Sequence, residues 1–312
     1  MTRPVERPPL LDGRVPPAPD WYHTTIAEAP ERGTIPVHGV DIELLTWGEV
    51  GAPVLLFLHG KGAHADWWSF IAPFFSRRFR VAAISWSGMG RSGWREAYPE
   101  ALLAEEALAA LEHAGAFESS VRPLVVAHSY GCLMAAELAS LVGDRLRAAV
   151  LIDPAIYSVE TVELRRQRWG AVERKPSRIY ATMEEALARY RFSPWQPCEN
   201  LYLADYIARR SLTYVDDASG TGWRWCFDPR HWSPDRQNAI HELPRDAGVP
   251  FTIILGSNSA LYRPQDVDYI ARTRPPGTAL VTIPEAAHHV MVDQPIALVS
   301  ALRTIFAGLP AR

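Results

Sequence analysis

Cysteine is scarce in this chain: Cys132, Cys198 and Cys226 are the three among 312 residues. An odd number without metal-type spacing excludes a disulfide framework and reads as reduced, mostly buried thiols. Long runs of one charge are also missing. With 32 basic and 35 acidic side chains the formal charge is −3, so nothing in the balance calls for nucleic acid or an anionic membrane as partner. No stretch approaches the ~18 apolar residues that a membrane span needs. Met1 to Pro8 holds no apolar core of a signal sequence. A soluble, cytoplasmic protein is expected. Internal repeats are absent, and no tract of low complexity occurs beyond a proline-rich start.

That start is the first positive feature. Residues 1–30 carry Pro4, Pro8, Pro9, Pro16, Pro17, Pro19 and Pro30, a density that excludes helix or central strand and predicts an extended arm. Such an arm is long enough to reach a neighbouring subunit, which leaves a homo-oligomer open. A hairpin is predicted next, around Gly33–Val37 and Asp41–Trp47. Apolar strands then alternate with helices: Val54–Leu58 before Asp66–Phe75, Val81–Ser85 before Pro99–Ala114, Leu124–Ala127 before Tyr130–Leu141, then Ala148–Ile152. Continuous apolar strands in this alternation predict a parallel sheet covered on both faces. Residues 156–245 break the pattern with charged, aromatic-rich sequence: a helix over Val162–Arg174, a capping-box start at Thr182 to Glu185, a helix over Leu201–Ser211, then Trp223–Trp232. The alternation resumes with Phe251–Leu255, Gln265–Arg272, Ala279–Ile283 and a last helix near Ile296–Ala307. The organisation is therefore an arm (1–30), a core in two pieces (31–155 and 246–312) and an inserted helical cap (156–245).

Within the core, Ala127-His128-Ser129-Tyr130-Gly131 joins an apolar strand to a helix. A serine there, with small residues two before and two after, fits a sharp turn that lifts a nucleophile above the sheet end; the plain alternative is a serine capping a helix. A working serine needs a base, a group to orient that base, and donors for an oxyanion. The donors fit the Tyr130 amide and the turn His59-Gly60-Lys61-Gly62 after the first central strand, with the Lys61 amide preferred over that of Gly60. His59 itself reads as structural. Ile283-Pro284-Glu285-Ala286-Ala287-His288-His289 supplies the base, and His288 is preferred because it follows two small residues and leaves His289 facing the last helix. Cys132 is expected to pack under the turn.

Taken together, Leu58-His59-Gly60, Gly88-Met89-Gly90-Arg91-Ser92, Ala127 to Gly131 and Ile283-Pro284 through His288 and Pro295 resemble the α/β-hydrolase fold family over roughly residues 33–310. The resemblance implies an α/β class fold with a mostly parallel eight-stranded sheet, helices on both faces, an inserted helical cap, and a Ser/acid/His triad that needs no cofactor or metal. Two departures stand out. Where family members commonly read Gly-x-x-Asp, this chain has Gly256-Ser257-Asn258-Ser259. Asp153, ending the strand Val150–Ile152, is the natural replacement, as in some family branches; Asp266 and Asp268 lie too far along. The other is Ser85, which stands where many relatives carry an aspartate, and this puts a structural hydrogen bond in doubt.

A serine nucleophile disfavours the branches that form an alkyl ester on a carboxylate, so acyl chemistry is expected: hydrolysis of an ester or lactone of a bulky or aromatic small molecule through an acyl-enzyme on Ser129. Trp67, Trp86, His128, Trp195 and Trp225 are the expected substrate contacts, although most of the cap's rings, Trp169 and Trp232 among them, are expected in its own core. Two other readings use the same residues. In a cofactor-free dioxygenase, His288 and Asp153 deprotonate a hydroxylated heteroaromatic; in a non-enzymatic receptor, the pocket only binds.

Overall fold

Strands that are apolar at every position have no face to offer water, and in the computed structural model they form the centre of the sheet. The described residues are 9–169, 177–218, 220–231 and 239–310. Helix α1 (Asp20–Ala27) precedes the antiparallel pair β1 (Glu31–Val37) and β2 (Val40–Trp47). Then follow β3 (Val54–Leu58), β4 (Arg80–Ile84), α2 (Glu100–His113), β5 (Leu124–His128), α3 (Gly131–Val142) and β6 (Ala148–Ile152). All residues of β3, β4, β5 and β6 are buried. The inserted segment contributes α4 (Val159–Trp169), α5 (Met183–Leu187), α6 (Leu201–Arg210), β7 (Leu212–Asp217) and β8 (Gly220–Trp225). The core closes with β9 (Phe251–Gly256), α7 (Pro264–Thr273), β10 (Ala279–Ile283), α8 (Val290–Asp293) and α9 (Pro295–Gly308).

Among the described residues the main sheet has eight strands in the order β1-β2-β4-β3-β5-β6-β9-β10. The β1–β2 and β2–β4 pairs are antiparallel and the others parallel. Strand residues alternate between two apolar layers. Leu55, Phe57, Val126 and Ile152 pack towards α9, whereas Leu56, Leu58, Val125 and Leu151 pack towards α2, α3 and α7. Chain order reverses between β3 and β5, and crevices for ligands open beyond the carboxyl ends of strands at such a reversal. Both the His59–Gly62 turn and Ser129 leave the sheet there. No helix among the described residues is long and apolar enough to cross a membrane.

Three expectations need correction. The arm contains a helix, α1, in a proline-free window that starts directly after Pro19. Proline is tolerated at a helix start because the first amides have no intrahelical acceptor. Trp21 and Tyr22 of this helix meet Tyr202 edge-on, at centroid distances of 6.2 and 5.0 Å, so this part of the arm packs on its own chain; residues 1–8 lie outside the described residues. Second, Asp66–Phe75 is not one helix but two 3-10 turns, Ala65–Trp68 and Ala72–Phe74. Pro73 removes an amide donor, and burial of everything from Ala65 to Pro73 leaves no polar face for an amphipathic helix. Third, the insertion is not purely helical, because β7 and β8 form an antiparallel hairpin; the β-branched and aromatic run Thr213-Tyr214-Val215 was the missed signal. The end of the predicted Val162–Arg174 helix and Trp232 lie outside the described residues, as does the side chain of Trp169.

Candidate active site

Sheet register places the three site side chains. Ser129 has φ 51° and Asp153 φ 47°, left-handed conformations that cost about 1–3 kcal/mol each in a residue with a Cβ. Neighbouring strands hold both. The Ser129 amide donates to the Ile152 carbonyl at the end of β6 (2.9 Å), and the Asp153 amide donates to the Ile254 carbonyl in β9 (2.7 Å). Gly131, the first residue of α3, lets the helix approach the end of β3: a Cβ there would lie 2.7 Å from the His59 carbonyl oxygen. Gly256 does the same for the His288 loop, since a Cβ would lie 2.3 Å from the Ala287 carbonyl oxygen.

The His288 Nε2 lies 2.9 Å from Ser129 Oγ, and its Nδ1 lies 2.7 Å from Asp153 Oδ2. Asp153 is 0% exposed and has further donors: the Gly256 amide to Oδ1 (3.0 Å) and the Ser259 hydroxyl to Oδ2 (2.6 Å). A buried carboxylate needs such partners to stay charged. Ser259 stands at the position where the Gly-x-x-Asp pattern has its acid, and here it donates to the acid's replacement. Sequence reasoning missed this, though its spacing from Gly256 was the available signal. Asp266, by contrast, is engaged by Arg263 and Thr161 in capping α7.

Two further residues brace the histidine loop without a sequence signal. Asp293 accepts from the Ala287 amide (2.7 Å) and from the Gln196 side chain (2.8 Å), and Gln196 Oε1 in turn accepts from the His289 amide (2.9 Å). Burial pushes the Asp293 carboxyl up to about 6. A carboxyl whose folded-state pKa is raised gives its full stabilisation below the unfolded value near 3.8 and loses it as pH rises through about 6. Asp293→Asn carries no such charge. Its thermal midpoint relative to wild type is therefore expected to be higher at pH 7 than at pH 4 in paired melts, and a pH-independent difference would refute this loading of the carboxylate.

The other candidates divide. Trp67, His128 and Trp225 line a cavity of about 260 Å³, together with Lys61, Ser129 and His288. His128 Nε2 lies 3.0 Å from the His288 carbonyl oxygen, so that nitrogen donates and the ring supports the His288 backbone. Burial pushes the His128 pKa well down and keeps the ring neutral. Trp86 is a correction: it is 0% exposed and absent from the cavity wall. Its indole donates to the His59 carbonyl and its amide to His59 Nε2, both at 3.0 Å, and burial pushes His59 down to about 3, in keeping with a structural role. Trp195 is the second correction, 47% exposed and also outside the cavity wall. Ser85 keeps a structural hydrogen bond by donating to the buried Glu43 carboxylate (2.6 Å) while accepting from the Ala65 amide.

The turn proposed for oxyanion donors runs beside the serine, since a Cβ on Gly60 would lie 3.2 Å from Ser129 Cβ. Tyr130 stands directly before α3, whose first amides lack helical acceptors. Cys132 lies under the turn, its thiol 3.3 Å from the Ala127 carbonyl oxygen. The ring nitrogens of His128, His288 and His289 offer atoms within 4.8 Å of one another, but both nitrogens of His288 already face Ser129 and Asp153, so an ion would have to compete with those contacts. A larger depression of about 600 Å³, lined by Glu31, Arg32, Arg80 and Glu118 among others, shares no residue with this site.

The alpha/beta hydrolase family profile matches residues 55–302. The chain belongs to this family. Esterase Rv0045c of Mycobacterium tuberculosis is 25% identical over 273 residues, which cover 85% of this chain and 86% of that protein. The crystal structure of E-2-(acetamidomethylene)succinate hydrolase superposes with a TM-score of 0.71 at 20% identity, covering 89% of this chain and all of the other. A crystal structure of Rv0045c gives 0.63 at 22% identity, with 89% and 91% covered. At these identities the two superpositions speak for the fold. In this hydrolase, the eight-stranded sheet with helices on both faces matches what the sequence implied.

Proposed function

We propose that this hydrolase cleaves a carboxylic ester of a small molecule, with Ser129 as nucleophile, His288 as base and Asp153 as the group that orients the imidazole. One observation carries the reading: a continuous contact chain of 2.9 and 2.7 Å from Ser129 through His288 to a fully buried carboxylate. In this mechanism Ser129 Oγ attacks the ester carbonyl while His288 Nε2 takes its proton, and Asp153 stabilises the imidazolium. The Lys61 and Tyr130 amides receive the charge that develops on the carbonyl oxygen. His288 returns the proton to the leaving alcohol, and a water activated by the same nitrogen releases the acid. The similarity to an esterase over most of both chains favours this reading over oxygenation or simple binding.

The inserted segment serves as the lid, because Tyr190, Phe192, Trp225 and Phe227 come from it to form the wall opposite the serine-bearing core. Ring contacts run from Trp225 to Tyr190 (5.8 Å), Tyr190 to Phe192 (5.3 Å) and Phe192 to Trp67 (5.9 Å). An aromatic wall around about 260 Å³, at or below the ~300–1,000 Å³ of drug-sized ligand sites, suits a compact aromatic or branched group and not an extended lipid chain. A fluorophosphonate probe tests the activated serine directly: mass spectrometry is expected to find the adduct on Ser129, and no adduct under conditions where the protein is folded would sink the proposal. Oxygen uptake with a hydroxylated heteroaromatic, lost in His288→Ala and retained in Ser129→Ala, would instead establish the dioxygenase.

A further inference from the structure

The walls of the catalytic cavity carry charge of one sign. Lys61, Arg189 and Arg191 line it, and no aspartate or glutamate does among the described residues. The chain as a whole has more acidic than basic side chains and a formal charge of −3, so composition does not account for a purely basic cavity. The nearest acid of the site, Asp153, is fully buried behind His288. Charge and burial are also sorted. Tyr190 and Phe192 are buried, whereas Arg189, which forms no ion pair among the described residues, is exposed, and Arg191 and Lys61 are partly exposed. Lys61 Nζ stands 5.3 Å from the Tyr130 ring centroid, next to the nucleophile. Trp67, also on the wall, has its indole N–H buried without an acceptor among the described residues. The cavity thus presents apolar surface within, cations at its edge and a spare donor.

We infer that the substrate is an amphiphilic anion: an ester with a compact apolar half held by the aromatic wall and a carboxylate or phosphate held at the mouth by Lys61, Arg189 and Arg191. The Arg189 guanidinium suits both oxyanions because its donors match two oxygens at once, whereas Arg191, whose Nη1 donates to the Ala188 and Tyr190 carbonyls, contributes chiefly its charge. Opposite charge gathered at a concave site also raises the local concentration of an anionic substrate, and added salt weakens that effect. This inference rests on the proposed esterase reading for its chemistry but not for its recognition, and the two are separable.

The test uses matched pairs of butyrate esters: 4-carboxyphenyl against 4-carbamoylphenyl butyrate, and a phosphorylated against a hydroxylated aryl butyrate to tell the two oxyanions apart. Binding to Ser129→Ala by calorimetry supplies a readout independent of turnover. At low salt the anionic member of at least one pair is expected to show kcat/KM at least about tenfold higher, carried by KM, and to bind Ser129→Ala correspondingly tighter. The ratio is expected to shrink severalfold at about 0.5 M salt, where the screening length falls to about 4 Å. Arg189→Glu and the double variant Arg189→Ala/Arg191→Ala are expected to bring the ratio towards one; damage to the fold lowers both members of a pair and leaves their ratio. Equal or weaker binding of both anions, or a ratio unmoved by salt and by these variants, overturns the inference while leaving ester hydrolysis intact. Anion-selective binding with no turnover of any ester would retain it and reject the esterase reading.

Discussion

Ser129→Ala is expected to lower kcat/KM for p-nitrophenyl butyrate by about 10⁴-fold or more without shifting the thermal midpoint by more than a degree or two. The size follows from the chemistry: with the Oγ gone no acyl-enzyme forms, and only binding and any oxyanion donors remain to assist direct attack by water. Stability is expected to hold because Ser129 is kept in its left-handed conformation by the hydrogen bond from its amide to the Ile152 carbonyl, a contact that the substitution preserves. His288 keeps its bond to Asp153 as well. Steady-state assays with matched melts decide the matter. A loss below tenfold would mean that the histidine activates water directly and that the serine is only a neighbour.

Asp153→Asn is expected to cost about 10⁴-fold in kcat, of the order known when the orienting acid of another triad becomes an amide. In this chain the carboxylate accepts from the Gly256 amide, the Ser259 hydroxyl and His288 Nδ1. An amide keeps one acceptor oxygen and turns its NH₂ towards these donors, so His288 is left in the wrong tautomer or the wrong orientation. Because Ser259 Oγ lies only 2.6 Å from Asp153 Oδ2, a carboxylate built at position 259 reaches the same imidazole edge. The double variant Asp153→Ser/Ser259→Asp is therefore expected to recover at least tenfold over Asp153→Ser. Failure of that rescue, with the double variant folded, would show that Asp153 acts through something other than its charge beside Nδ1.

The core strands were legible because total burial on both faces demands unbroken apolar runs: Val54–Leu58 and Ala148–Ile152 coincide with β3 and β6. The sharp turn at Ser129 was legible because its steric demands are local, and Ala127 and Gly131 meet them within one pentapeptide. Legibility failed where neighbours in space made the decision. Asp66–Phe75 has enough apolar residues for a helix, yet burial all round and Pro73 broke it into two turns. The indoles of Trp86 and Trp225 look alike in sequence, but one is locked to His59 in the core and the other faces the cavity.

Sequence by itself determined the layered sheet and the family and singled out Ser129, His288 and Asp153, which the fold brings into contact, since each depends on short-range pattern or on the chain order of a few residue types. Tertiary structure alone decided what surrounds those groups. Ser259 and Asp293 became braces of the site, Trp86 and Trp195 dropped out of it, and Arg189 and Arg191 entered its wall. The physical reason is that hydrogen bonds and desolvation act over a few ångströms of space, while the residues involved are separated by up to more than a hundred positions along the chain.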